Sequence, residues 1–316
     1  MKFSPVNDAL DVILAKSFNT SADTFRFHES LPFGTFPVVF ATTVGYVALM
    51  LSGKQIMKNY QPFVLKVPIF LHNLIMSVAS AILFVLIMEP LIPMLYERGL
   101  NYSVCNKEAY TPRLELLYYF NFLFKIWEFI DTAFIVLRKR PLEFLHVYHH
   151  SATALMAFMF VVKPQSSLWF YILINLFVHV LMYYYFAVTA LSIKIWWKKY
   201  LTTMQIIQFV VDLALIGFLV YNVFAADLFP WIVTDYGFPV ISDCYSADPH
   251  LHAGVASFVL FSYLVLFMDF YRRTYNKKDG ASKSKANGAA KVNGNTDSHA
   301  KTHHPNRQTT TNQKEE

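Results

Sequence analysis

The chain has 316 residues, of which 55% are hydrophobic and 17% aromatic, and only 15% are charged, where a soluble domain carries about a quarter. The apolar residues come in blocks longer than a soluble core helix needs, which excludes an ordinary soluble domain and points to a membrane protein. A net charge of +6, gathered at loop edges and in the C-terminal tail, is how membrane proteins distribute Lys and Arg, and it argues against a nucleic-acid partner.

Residues 1–30 precede the first apolar block and lack the short apolar stretch and small-residue cleavage site of a removable signal peptide, so none is expected. Seven blocks then follow, each about the 20 residues needed to cross the hydrocarbon: 31–52, 67–88, 114–137, 141–162, 167–193, 200–226 and 252–274. Pro90 and Pro93 mark the end of the second. The expected fold is therefore all-α and integral to a membrane, with a seven-helix domain over 31–274. From residue 275 to 316 Lys, Asn, Gly, Ser and His dominate, and this basic tail is expected to be disordered and cytosolic.

Charge sets the expected orientation. Lys54, Lys58 and Lys66 lie in the first loop, Arg138, Lys139 and Arg140 in the third, Lys194, Lys198 and Lys199 in the fifth, and Arg272 and Arg273 open the tail. The sixth loop, 227–251, has no Lys or Arg and four aspartates. The positive-inside rule puts the odd loops and the C-terminus in the cytosol and the N-terminus in the lumen. Two observations agree. The two N-x-S/T sequons, at Asn19 and Asn101, fall on the luminal side as glycosylation candidates, and so do the two cysteines, Cys105 and Cys244, which an oxidising lumen would allow to pair.

Ionisable side chains inside spans are costly and generally face a bundle interior or cavity. The third span carries Lys125, Glu128, Asp131 and Thr132, the first three at steps of three residues and so on roughly one helix face. The fourth carries His146, His149 and His150, the fifth Asn175, His179 and Tyr183, and the sixth Gln205, Gln208 and Asp212. At a rise of ~1.5 Å per residue these residues fall in an overlapping layer, about 8–20 Å below the cytosolic ends of their spans, with His179 near mid-membrane. Such a layer reads as a site. Lys125 with Glu128 could instead be a structural pair, Gln205 and Gln208 could tie helices together, and His72 reads as a helix–helix hydrogen-bond partner.

Two chemistries suit the histidines. Three at this spacing with a fourth from a neighbour could ligate zinc or non-haem iron, as in membrane desaturases, although no second histidine box appears. Imidazole can also act as acid, base or nucleophile, and both cysteines lie on the far side of the membrane from this layer. A non-enzymatic seven-helix receptor would place its site towards the lumen.

The segments Lys125-Ile-Trp-Glu128-Phe-Ile-Asp131-Thr132, Phe144-Leu-His146-Val-Tyr-His149-His150, Asn175-Leu-Phe-Val-His179-Val-Leu-Met-Tyr183 and Thr203-Met-Gln205-Ile-Ile-Gln208-Phe, in this order, resemble the ELO family of very-long-chain fatty acid elongases. The resemblance covers about residues 30–275. It implies seven helices, six of them forming a barrel around an acyl-chain tunnel, in the endoplasmic reticulum membrane. It implies condensation of acyl-CoA with malonyl-CoA to 3-oxoacyl-CoA, CO2 and CoA, with no cofactor and no metal, beside the reductases and dehydratase of the elongation cycle. By position, His149 would be the nucleophile forming an acyl-imidazole, His179 its partner towards malonyl-CoA, and His146 and His150 would give acid–base help. Lys125, Glu128 and Asp131 would shape the site, and Asn175, Tyr183 or Gln205 could hold an enolate oxygen. The basic groups Arg138, Lys139, Arg140, Lys198, Lys199, Arg272 and Arg273 suit CoA phosphates or simple membrane anchoring. Pro141 and the run Ile195-Trp-Trp-Lys-Lys resemble fungal members acting on saturated and monounsaturated chains.

Overall fold

A computed structural model describes residues 4–18, 20–228, 230–237 and 244–276. The chain divides into one unit over Met1–Phe270 and a second over Tyr271–Glu316. Of the second, the described part is Tyr271–Asn276, a π-helical turn in which the rings of Tyr271 and Tyr275 lie 5.0 Å apart.

The first unit is built from helices. Among the described residues there is no strand, only a single β-bridge between Gln165 and Ser246. The N-terminal segment forms α1 (Pro5–Phe18), followed by α2 (Phe36–Ile56) and α3 (Lys66–Cys105). Pro90 and Pro93 do not end the second span as expected: α3 runs through both, and its regular geometry breaks only at Gly99, with φ 80° and ψ 171°, a conformation open to glycine. A proline inside a helix leaves the carbonyl four residues earlier without its donor. For Pro90 that carbonyl belongs to Leu86, and Asn7 Nδ2 donates to it at 2.9 Å. The same amide donates to Glu89 at 2.8 Å, and Glu89 also accepts the N–H groups of Val6 and Asn7 at 3.1 and 2.9 Å. The first turn of α1 thus supplies the donors that the proline-interrupted turn of α3 needs.

The third block also departs from expectation. It is two helices, α4 (Pro112–Trp127) and α5 (Phe129–Leu137), of 16 and 9 residues, joined at Glu128. The joint is one tightened turn: Glu128 has φ −60° and ψ −15°, and the N–H of Asp131 donates to the Glu128 carbonyl three residues back at 3.1 Å. The remaining helices are α6 (Phe144–Val162), α7 (Leu168–Ala190), α8 (Lys198–Leu228), the short α9 (Pro230–Thr234) and α10 (Pro249–Tyr271). Among the described residues six helices are long and apolar enough to cross a membrane, namely α2, α3, α6, α7, α8 and α10; α4 and α5 are each too short alone. This is a multi-pass membrane protein.

Helix α3 lies most extensively along α7, α4 packs on α6, and α2 on α5 and α6. A continuous apolar core joins α3, α4, α6, α7, α8 and α10 through residues such as Ile87, Leu117, Leu176, Phe209 and Leu260. One end of the bundle is stitched shut. Cys105 and Cys244 form a disulfide between the end of α3 and the segment before α10. Around it, Tyr245 N donates to Cys105 O at 2.8 Å, Ser166 N to Tyr245 O at 3.1 Å and Ala247 N to Pro164 O at 2.8 Å. Of the two sequon asparagines, Asn101 is exposed near the end of α3, while Asn19 lies outside the described residues.

The bridge closes a loop of 139 residues in sequence separation; a disulfide typically stabilises by about 2–4 kcal/mol, and more when the loop it closes is long. Cys244→Ala should lower the melting temperature of the detergent-purified protein, and reductant should lower that of the wild type but not of the variant. Equal melting of wild type with and without reductant would reject a stabilising bridge.

Candidate active site

Two carboxylates organise the polar layer. The first is Glu128 at the α4–α5 joint, 1% exposed. Lys125, one turn earlier and also buried, donates from Nζ to Glu128 Oε1 at 2.9 Å. His179 of α7 sets Nδ1 3.3 Å from the same oxygen, and His150 of α6 sets Nδ1 3.6 Å from Oε2, beyond hydrogen-bonding distance. Lys125 Nζ also donates to Asn175 Oδ1 at 2.7 Å. With the oxygen of Asn175 occupied by an ammonium, its NH2 group is the end left to turn elsewhere.

The second is Asp131. Its two oxygens accept from Tyr183 Oη at 2.7 Å and pair with His72 Nε2 at 2.6 Å. Because Trp127 Nε1 donates to His72 Nδ1 at 3.3 Å, the network assigns the His72 proton to Nε2. His72 thus ties α3 to α5, as its isolated position in the sequence suggested. Next to Asp131, Thr132 Oγ1 bonds both His146 Nε2 at 3.0 Å and Tyr46 Oη at 2.7 Å.

His149 differs from its neighbours. Its ring lies 4.8 Å from that of Tyr263 and 5.4 Å from that of His150, and Tyr263 Oη donates to the His149 carbonyl at 3.1 Å, fixing that turn of α6 against α10. It also stands where two cavities share a wall. The wider, about 460 Å³, is lined by Glu128, His146, His150 and His179 and, at its edge, by Arg138, Arg140 and Lys198. The narrower, about 120 Å³, is mainly apolar and extends to Gln165, Cys244 and Ser246 at the stitched end of the bundle. His149, Asn175, Gln208 and Phe209 line both, and His149 is the one histidine among the described residues that does.

A model of the GNS1/SUR4 family, ELO, matches residues 31–283. The chain belongs to the ELO family. Among its relatives are two proteins of Schizosaccharomyces pombe: putative fatty acid elongase 2, 40% identical over 94% of this chain and 79% of its own length, and putative fatty acid elongase 1, 39% identical over 83% and 75%. Fatty acid elongase A of Dictyostelium discoideum is 33% identical over 83% of this chain and 92% of its own.

In this ELO-family chain the residues singled out from sequence divide into three groups. Lys125, Glu128, Asn175, His150 and His179 form one contact network, with His146 and His149 on its cavity side. Tyr183 does not face either cavity, because its hydroxyl is held by Asp131; Gln205 does line the wide cavity, with Nε2 3.4 Å from Met182 Sδ. Of the basic residues, Arg138, Arg140 and Lys198 line the wide cavity, whereas Lys139 turns away, in a backbone conformation of φ 52°, and donates to the carbonyls of Lys58 and Tyr60 at 3.1 Å. Lys199 is not among the lining residues, and Arg272 and Arg273 belong to the second unit. Among the described residues no group of three or more His, Cys, Asp and Glu side chains is arranged to hold a metal ion.

Sequence reasoning missed Tyr46, Trp127 and Tyr263. A lone tyrosine or tryptophan in an apolar span carries no spacing signal, although a buried one generally needs a partner for its polar atom.

A buried ion pair loses about 3–5 kcal/mol when one partner alone is removed, and much less when both are replaced by apolar groups. Lys125→Met should therefore lower the melting temperature more than the double variant Lys125→Met, Glu128→Leu. Additive losses in the double variant would show that the two side chains are not coupled.

Proposed function

We propose that this ELO-family enzyme of fatty acid elongation catalyses the condensing step, as a very-long-chain 3-oxoacyl-CoA synthase that joins an acyl-CoA to malonyl-CoA. The reading rests on the position of His149, an imidazole on the wall shared by a cavity edged with Arg138, Arg140 and Lys198 and a narrower one that runs to Cys244 at the disulfide end of the bundle. An acyl-CoA has the same division: phosphates at one end, alkyl chain at the other, thioester between. Guanidinium and ammonium groups suit the phosphates, and the apolar walls suit the chain.

In the first half-reaction the His149 imidazole attacks the thioester carbonyl, the C–S bond breaks, and CoA leaves as a thiolate that takes up a proton. The acyl group remains as an acyl-imidazole. In the second, malonyl-CoA loses CO2, the resulting enolate carbon attacks the acyl carbonyl, the C–N bond to His149 breaks, and the departing imidazole nitrogen takes up a proton from water. The products are 3-oxoacyl-CoA, CO2 and free His149. Covalent catalysis of this kind replaces one difficult step with two easier ones.

The surrounding groups have separable roles. Glu128 holds His179 by Nδ1, so that Nε2 is the nitrogen available to substrate. Lys125 holds Asn175 by its oxygen, which leaves the amide N–H groups to donate to the enolate oxygen, a role that preorganised donors fill well. Gln205 is a second donor on the same cavity. The reaction needs no metal or redox cofactor. We place the enzyme in the endoplasmic reticulum membrane with a luminal N-terminus and a cytosolic C-terminus, where the wide cavity opens towards the compartment that supplies CoA esters, and where the cycle's reductases and dehydratase would consume the product. In this reading α4 and α5 together act as a seventh span, and six spans form a barrel around the narrow cavity.

Microsomes bearing His149→Ala should incorporate labelled malonyl-CoA at least about 10³-fold more slowly. Wild type quenched in the presence of acyl-CoA alone should carry one added acyl mass on the peptide containing His149. Unchanged incorporation, or stoichiometric iron or zinc held by the three box histidines, would falsify the acyl-imidazole. Asn175→Leu should lower kcat by about 10²-fold while leaving the acyl adduct detectable, because its donor acts in the second half-reaction. Loss of the adduct in that variant would assign Asn175 to acyl-CoA binding instead.

A further inference from the structure

The narrow cavity is not uniformly apolar. Four of its lining residues belong to the junction layer: Lys125 on α4, His149 on α6, Asn175 on α7 and Gln208 on α8. Four more lining residues stand one helical turn from these, each displaced by four positions: Asn121, Thr153, Tyr171 and Asp212. Helices α4 and α7 reach the junction layer from 121 and 171, while α6 and α8 leave it towards 153 and 212. All four displacements therefore run the same way, deeper into the cavity. The result is a second polar belt.

Much of this belt has no internal partner. Thr153 Oγ1 is bonded to Tyr263 Oη at 2.8 Å. Asn121 Oδ1, Tyr171 Oη and Asp212 Oδ1, in contrast, are buried atoms without any hydrogen-bond partner, on side chains that line the cavity. Asp212 is 2% exposed and Asn121 6% exposed. The one contact to Asp212 is from Gln208 Nε2 at 3.4 Å, on its other oxygen. Buried polar atoms are nearly always paired, so three unpaired ones in one belt point to a ligand that carries a polar group of its own; a fourth on the same cavity wall, His252 Nε2, lies at the disulfide end beside Ser246. Four positions further on, Ala157 and Ile216 are apolar, and Ser167 brings back a single hydroxyl.

We infer that this belt is a subsite for a hydroxyl group on the acyl chain, and that the enzyme accepts acyl-CoA esters hydroxylated near carbon 6. The inference rests on the proposed entry of the acyl chain into the narrow cavity with its carbonyl at His149. Four helical residues rise about 6 Å. A zigzag chain with C–C bonds of about 1.52 Å advances roughly 1.25 Å per carbon, so the belt faces a point about five carbons beyond the carbonyl carbon. A hydroxyl there donates to Asn121 Oδ1 or Asp212 Oδ1 and accepts from Tyr171 Oη.

The test is equilibrium competition on the detergent-purified full chain, with free CoA in excess so that acyl transfer to His149 reverses, and with labelled stearoyl-CoA displaced by 6-hydroxystearoyl-CoA or 10-hydroxystearoyl-CoA. The second ester puts the same hydroxyl about one turn deeper, past the belt and against Ala157 and Ile216. Wild type should bind the 6-hydroxy ester at least about tenfold more tightly than the 10-hydroxy ester, a difference of ~1.4 kcal/mol. Asp212→Leu and the near-isosteric Tyr171→Phe should each shrink that ratio to within about twofold. Should Asp212→Leu fail to bind stearoyl-CoA at all, Tyr171→Phe decides the matter. Equal affinities for the two esters in wild type, or a ratio unchanged in Tyr171→Phe, overturn the subsite. Malonyl-CoA incorporation measured in parallel separates the two levels: no incorporation with any ester refutes the condensation reading, while a missing positional preference in binding refutes the belt alone.

Discussion

A carboxylate buried in an apolar bundle must be paired, and that demand on Glu128 organises the centre of this molecule. Glu128 sits at the tightened turn between α4 and α5 and is almost fully enclosed. Its charge is met by Lys125 from its own helix and approached by His179 and His150 from two others. Lys125 then reaches a fourth contact, the oxygen of Asn175. One acidic side chain thereby ties α4 to α7, with His150 of α6 packed alongside. The neighbouring Asp131 does the same for α3, α5 and α7 through His72 and Tyr183. The apolar core supplies most of the contact area, but apolar contacts alone would tolerate small rotations of one helix against another. Two anchored carboxylates do not.

The same constraint divides the interior into two compartments. Glu128, Asp131, His146, His150 and His179 line the wide cavity, while the narrow one runs past the belt, between residues such as Ala157 and Ile216, to Gln165 and Ser246 at the stitched end. At that end the disulfide, the Gln165–Ser246 bridge and the hydrogen bonds around Tyr245 hold three separate segments together. In the proposed reading, an acyl chain lying extended in the narrow cavity has His149 at one end and these joined segments at the other, so the cross-link and the polar layer bear on one cavity although they lie far apart in sequence.

The sequence revealed this centre because charged and imidazole side chains are rare in spans, so their spacing stands out. Lys125 and Glu128 at i, i+3, the His146, His149 and His150 triplet, and Asn175 with His179 were each visible as a pattern, and their common depth followed from the rise of a helix. What spacing could not carry was direction. Asp131, three residues from Glu128, turns instead to α3 and α7; Lys139, between two cavity-lining arginines, turns to the carbonyls of Lys58 and Tyr60. The continuation of α3 past Pro90 was equally hidden. A proline ends a helix unless something outside the helix satisfies the freed carbonyl, and here the donor is Asn7, 79 positions from Leu86. No local window contains both halves of that bond.

The pairing of Lys125 with Asn175 links this architecture to chemistry. An amide has an accepting and a donating end, and a cavity-lining Asn could present either. An ammonium on its oxygen removes the ambiguity. The donating end is then the one available where both cavities meet, beside His149. Lys125 itself is neutralised by Glu128, so the site gains an oriented donor without an uncompensated charge. In the proposed condensation, a free ammonium in the same place would attract the carboxylate of malonyl-CoA and would favour holding it over losing it as CO2. A neutral amide favours oxygen that becomes negative only during reaction, which is the selectivity that catalysis requires.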